Sequence, residues 1–194
     1  MIDIAEEHYE DVRKNLISRF NLAHSYHDLL AAFTGKGLLP HYADELNRCP
    51  TLMRILEKGI KQAFVITLCS FYDRDSRSVT FSTFESILKE QGKLPAQWDT
   101  EFEPVKKLIE RLQLLRNKHY AHDSKQKLTR DIFTESAMTY NLVTEIFEAS
   151  RELISKLLFA DDGTDYQNND SLKDDIGRLF RNYDPDGVWE QGPR

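Results

Sequence analysis

An all-α helical bundle of four to five main helices, closed by a short C-terminal helical appendage, follows from three features of this 194-residue sequence. Apolar residues return every three or four positions through most of the chain, the period of an amphipathic helix. Helix-starting residues precede these runs, and glycine or proline follows them. No alternating apolar and polar stretches pair across a turn, and no Rossmann or P-loop glycine pattern occurs, so an α/β nucleotide-binding fold is not expected.

The first helix opens at Asp3, an N-cap with Glu6 three residues on, and its apolar face is Tyr9, Val12, Leu16, Phe20, Ala23, Tyr26, Leu30 and Phe33. Gly35 and Gly37 end it. The second begins near Pro50 and Thr51, runs through Leu52, Ile55, Leu56 and Ile60, and turns apolar nearly all round from Ala63 to Leu68, which predicts a central buried helix. After a polar loop from Asp73 to Ser78, Ser82 and Glu85 have the spacing of a capping box for a short helix that Gly92 and Pro95 close. The fourth helix, from about Thr100 to about His119, places Phe102, Val105, Leu108, Ile109, Leu112 and Leu115 on one face. The fifth, after Thr129, carries Phe133, Ala137, Tyr140, Val143, Phe147, Ile154 and Leu157, and forms an antiparallel pair with the fourth. Residues 1–160 are therefore expected to form the bundle domain. Residues 161–194 read as a polar linker and a short docking helix, Ser171 to Asn182, with Leu172, Ile176, Leu179 and Phe180 on one side.

Composition supports a folded chain: 40% hydrophobic and 30% charged residues, with eleven Phe and eight Tyr to fill a core. A chain of this length buries enough surface without disulfides or a structural metal. Cys49 and Cys69 lie in or beside apolar sequence and not at metal-ligand spacing, which fits reduced thiols in a cytoplasmic protein. The acidic N-terminus lacks a signal-peptide pattern, and the longest apolar run, Ala63 to Phe71, is too short to span a bilayer, so no membrane association is expected. Neither a cofactor nor a metal is called for. Asp73 and Asp75 read as caps and turn formers, and His24, His27 and His41 lack zinc spacing. Asp161 to Asp170 is no calcium loop, because Tyr166 and Leu172 occupy the positions that need glycine and glutamate. Trp189 is a candidate anchor for the tail.

Charge is unevenly spread. The net charge is −6, yet Lys106 to Arg130 holds eight Lys or Arg against Glu110 and Asp123, a local +6 that leaves −12 for the remainder. The same segment contains the sequence's chemistry. Counting along the fourth helix from Leu112 gives Arg116, then His119, then His122, so polar groups take over the buried stripe. Cations at a helix C-terminus offset the dipole by about 0.3–1 kcal/mol each, which accounts for the positive charge. It does not account for an Arg inside an apolar stripe, since a partly buried guanidinium requires acceptor partners.

The run Leu114-Leu115-Arg116-Asn117-Lys118-His119-Tyr120-Ala121-His122-Asp123 resembles the signature of the HEPN superfamily, and its Ala-His-Asp ending resembles the abortive-infection AbiU-like branch. A similar helix order extends the resemblance from about Met1 to Phe159. Arg19 and His24 have a comparable spacing, but Phe20 follows that Arg where the motif has a polar residue. The resemblance implies a metal-independent endoribonuclease of prokaryotic toxin–antitoxin or phage-defence systems, working as a homodimer with two facing motifs and held in check by an antitoxin protein. His122 would then be the general acid and base, Arg116 would hold the scissile phosphate, and Asn117 would orient either of them. Lys118 and His119 are secondary candidates, and Lys125, Lys127 and Arg130 would meet the RNA backbone. Two other readings fit the same residues: a non-catalytic helical module for RNA or protein binding or for dimerisation, and a nucleotide-binding HEPN domain.

Overall fold

The five main helices expected from the sequence are present in a computed structural model of the chain, which describes residues 6–33, 49–73, 78–117 and 139–167. Among the described residues there are five helices and no strand: α1 Glu6–Phe33, α2 Pro50–Ser70, α3 Phe81–Glu90, α4 Trp98–Leu115 and α5 Tyr140–Asp162. The all-α bundle is thus the observed fold class. The Asp3 cap, the Gly35 and Gly37 stop and the helix expected from Ser171 to Asn182 lie outside the described residues.

The chain divides into two compact units, one formed by Met1–Ala23 and Gln62–Gln167, the other by His24–Lys61 and Asn168–Arg194. In the first unit the predicted apolar stripes meet. Val12, Leu16 and Phe20 of α1, Phe64, Val65 and Leu68 of α2, and Phe102, Ile109, Leu112 and Leu115 of α4 are all buried. Helix α5 receives α3 and α4 on a face that buries Val143, Ile146, Phe147, Ile154 and Leu157. Glu101, near the start of α4, pairs with Lys156, near the end of α5, at 2.8 Å, as two antiparallel helices require. At the centre, the fully buried Phe20 stacks on Phe147 at 5.5 Å and meets Phe71 edge-on at 5.4 Å. Such pairs add directional packing to a burial term of roughly 1.5–3 kcal/mol for each large apolar side chain.

The close of α5 also belongs to this unit. Gly163 takes the left-handed conformation at φ 77° and its N–H returns to Phe159 O at 2.9 Å. The last turn of α5 has no basic residue of its own. Arg13 supplies the charge by pairing with Asp161, at 3.2 Å, and with Asp162, while Lys93 donates to the Asp161 carbonyl at 3.0 Å. Tyr166 continues this contact with α1, meeting Phe20 edge-on at 5.0 Å and donating to Asn21 Oδ1 at 2.7 Å.

In the second unit, Leu30 is fully buried, and His24 and Asp28 are buried one turn apart, with His24 Nε2 3.8 Å from Asp28 Oδ1. The first turns of α2 differ from the expected core face. Leu52, Ile55 and Leu56 are 53%, 61% and 42% exposed.

Three boundaries depart from expectation. The capping box of α3 is formed by Thr80 and Thr83, not by Ser82 and Glu85. Phe81 must be buried in the first turn, and this fixes the cap one residue before it. Helix α4 starts at Trp98, whose buried ring stacks on Phe102 at 5.5 Å. Helix α5 starts at Tyr140: Thr139 is extended and its hydroxyl accepts from Leu142 N at 3.2 Å, so no helix runs through it from Thr129. Within α2, Ile66 is 39% exposed although its surroundings in sequence are apolar nearly all round.

Phe20→Ala is expected to lower stability by about 3–5 kcal/mol, because its cavity opens at the junction of α1, α2 and α5. Urea unfolding followed by circular dichroism measures it.

Candidate functional site

Helix α4 keeps its buried stripe to the last regular turn, where Leu112 is 0% and Leu115 1% exposed. The backbone then stays helical, with φ −54° and ψ −53° at Arg116, but widens into a π turn over Arg116 and Asn117. Such widened turns re-aim the side chains they carry and recur at functional sites. Arg116 is thereby only 21% exposed along its side chain. Its guanidinium has two partners: Nη1 donates to Asp73 Oδ1 at 2.7 Å, and Nε donates to Asn117 Oδ1 at 3.0 Å. These acceptors are what permit an Arg to follow an apolar stripe.

Asp73 is in place because of the residue before it. The Tyr72 carbonyl accepts from Gln113 Nε2 at 3.0 Å, which ties the end of α2 to α4 one turn before Arg116. The Tyr72 hydroxyl meets Ser150 Oγ on α5 at 2.5 Å, and Ser150 in turn donates to Ile146 O at 2.6 Å, so the tyrosine is the donor. Burial pushes this phenol far above its ordinary range, and it stays protonated. One side chain and one carbonyl therefore hold the Phe71-Tyr72-Asp73 turn against two helices.

A family model described as AbiU2, of the HEPN domains, matches residues 2–178. The chain belongs to the HEPN AbiU2 family. No curated protein and no solved structure matches it.

In this HEPN AbiU2 chain the motif begins at the described end of α4. Arg116 and Asn117 are brought together by a hydrogen bond, and Asn117 spends its carbonyl oxygen on the Arg. Lys118, His119, His122, Lys125, Lys127 and Arg130 lie outside the described residues. Sequence reasoning missed Asp73 as a member of the site. The only signal for it was its place just after the apolar run that ends α2, where a carboxylate can turn back on the bundle.

The look-alike pair separates from the motif on structural grounds. Arg19 donates to Val79 O and Ser70 Oγ and lies over the Phe71 ring at 5.2 Å, so it fastens α1 to the chain leading into α3. Burial lowers its pKa, partly offset by the charge of Asp73. His24 and His27 approach Asp28 at 3.8 and 3.5 Å on α1. Among the described residues no group of three or more His, Cys, Asp or Glu is placed to hold a metal ion, and no helix is long and apolar enough to cross a membrane.

Cys69 is completely buried, and its pKa is pushed up to about 12 by burial, which outweighs the opposing pull of Arg116; Asp73 adds to the rise. It is not a nucleophile at neutral pH. The linkage has one sign. A thiol raised from 9.0 to about 12 leaves stability unaffected below 9.0 and lowers it as pH climbs through that interval. Two outcomes follow. With a maleimide at neutral pH, the folded protein is expected to label once, at the exposed Cys49, and twice after unfolding. Asp73→Ala is expected to cost about 1–2 kcal/mol in urea unfolding while helix content stays unchanged, because Arg116 loses its charged partner in a half-buried setting.

Proposed function

We propose that this HEPN AbiU2 protein is a metal-independent endoribonuclease of a prokaryotic toxin–antitoxin or phage-defence system. The observation that carries the reading is Arg116: a half-buried guanidinium at a widened helical turn, braced by Asp73 and Asn117, at the head of the sequence Arg-Asn-Lys-His-Tyr-Ala-His. A braced guanidinium presents fixed donors to a phosphate, and preorganised donors are what stabilise charge growing on phosphoryl oxygens.

RNA carries its own nucleophile, so the protein needs only proton transfer and charge stabilisation. His122 takes the proton of the 2′-hydroxyl as that oxygen attacks phosphorus. The bond from phosphorus to the 5′-oxygen breaks, and the leaving oxygen takes a proton from the imidazole of a second copy's motif. The products are a 2′,3′-cyclic phosphate and a free 5′-hydroxyl. Arg116 binds the non-bridging oxygens throughout. One Arg and one usable His make a sparse site, and a homodimer with facing motifs completes it. Lys118, His119, Lys125, Lys127 and Arg130 provide phosphate contacts for the RNA, and an antitoxin that covers them switches the protein off.

The Arg116–Asp73 ion pair also favours a second reading, a non-catalytic helical module in which the motif organises an interface. The two readings differ in a single assay. Purified protein in EDTA is expected to cleave a labelled structured RNA pool and leave 2′,3′-cyclic phosphate ends. His122→Ala is expected to abolish cleavage, and Arg116→Ala to slow it roughly 10²–10³-fold. Equal residual cleavage by wild type and both variants would assign the protein to the non-catalytic class.

A further inference from the structure

Beside Arg116 lies a cleft of about 180 Å³ that the ribonuclease reading leaves without a role. Its floor is aromatic. Phe71, Phe81 and Phe102 are 0%, 1% and 7% exposed, and Tyr72 lies between the last two, 5.1 Å from Phe81 and 6.2 Å from Phe102 between ring centroids. Tyr72 and Phe102 stack on each other, 17° from parallel. The rim is polar and periodic. Lys106, Glu110 and Gln113 line the cleft at successive turns of α4, and the same line continues to Arg116 and Asn117. Asp73 lines the cleft and also holds Arg116 at 2.7 Å, so the cleft and the guanidinium share a wall.

We infer that this cleft is a nucleobase subsite, which seats the base of the nucleotide whose phosphate rests on Arg116, and that it selects guanine. An aromatic, apolar floor with a hydrogen-bonding rim fits a planar heterocycle better than a sugar or an aliphatic side chain. The rim chemistry chooses among the bases. One of the two Gln113 amide N–H groups is spent on the Tyr72 carbonyl, and the amide oxygen remains an acceptor. With the carboxylates of Asp73 and Glu110, this makes the wall rich in acceptors, and among the described residues Lys106 is its one cationic donor. Guanine presents the complement: adjacent N1–H and N2–H₂ donors for a carboxylate, and O6 and N7 acceptors for a lysine. Lys106 lines the cleft with its ammonium over the Phe102 ring, 4.8 Å from its centroid, and 3.8 Å from Glu103 Oε2. The inference rests on the proposed function only in taking Arg116 as the phosphate holder.

The test uses the full chain and RNA that cannot be cleaved. Fluorescein-labelled 2′-O-methyl hexanucleotides, one uniform in uridine and three others with a single central guanosine, adenosine or cytidine, are titrated by fluorescence anisotropy. The guanosine probe is expected to bind about tenfold more tightly than the others. Glu110→Gln is expected to remove that preference without weakening the uridine probe, and Arg116→Ala to weaken all four alike. Glu110 is exposed at the helix surface, so its substitution leaves the core intact. Equal affinity for the four probes, a preference that survives Glu110→Gln, or no binding of any probe would overturn the inference. Because the probes lack a free 2′-hydroxyl, guanosine selection by a protein that cleaves no RNA would retain the subsite and reject the ribonuclease reading. Cleavage of natural RNA without guanosine selection would do the reverse.

Discussion

Tyr72 is the residue on which the arrangement of the site depends. It occupies the short turn after α2, where its N–H still returns to Cys69 O at 3.0 Å but its carbonyl has passed the last helical turn. Its carbonyl is taken by Gln113 of α4, and its hydroxyl is buried against Ser150 of α5. A buried phenol or carbonyl without such a partner would cost about 1–3 kcal/mol, so both contacts are effectively obligatory. Together they bring three helices to a single point. Asp73, one residue later, inherits its position from them, and Arg116 inherits its orientation from Asp73.

The aromatic core explains why that point is rigid. Phe71, next to Tyr72, meets Phe20 at 5.4 Å and Phe81 at 5.5 Å, and its carbonyl accepts from Phe81 N at 3.0 Å. The turn is therefore clamped by packing on one side and by hydrogen bonds on the other. Arg19 adds a third constraint from α1 by reaching Val79 O and Ser70 Oγ across the same turn. In the proposed ribonuclease reading Arg116 gains from this, because donors already fixed in place need no reorganisation when charge develops on a phosphate. The same enclosure silences Cys69, whose thiol has no route to solvent and stays protonated.

Much of the fold was legible from periodicity. The buried face of α1 is the predicted one at Val12, Leu16, Phe20, Ala23 and Leu30, and that of α4 at Phe102, Val105, Ile109, Leu112 and Leu115. The family was legible from the residues following Leu115, and the match over residues 2–178 establishes it. What periodicity misread were positions where burial depends on neighbours. Leu52, Ile55 and Leu56 have ideal helical spacing and stand exposed; Ile66 sits in an apolar run and is exposed as well. Spacing shows that a helix has an apolar face but is silent on whether another element covers it.

The sequence by itself determined the helices, most of their buried faces, and the Arg-Asn start of the motif, because all three are set by local spacing along one chain. Caps were harder, since Ser82 and Thr80 both suit the role and only the burial of Phe81 selects Thr80. Tertiary structure alone decided that Asp73 faces Arg116, that Tyr72 bridges α4 and α5, and that an aromatic cleft opens beside the motif. Those contacts join residues 43 and 78 positions apart in the chain. Their partners are chosen by the packing of whole helices, which no local pattern encodes.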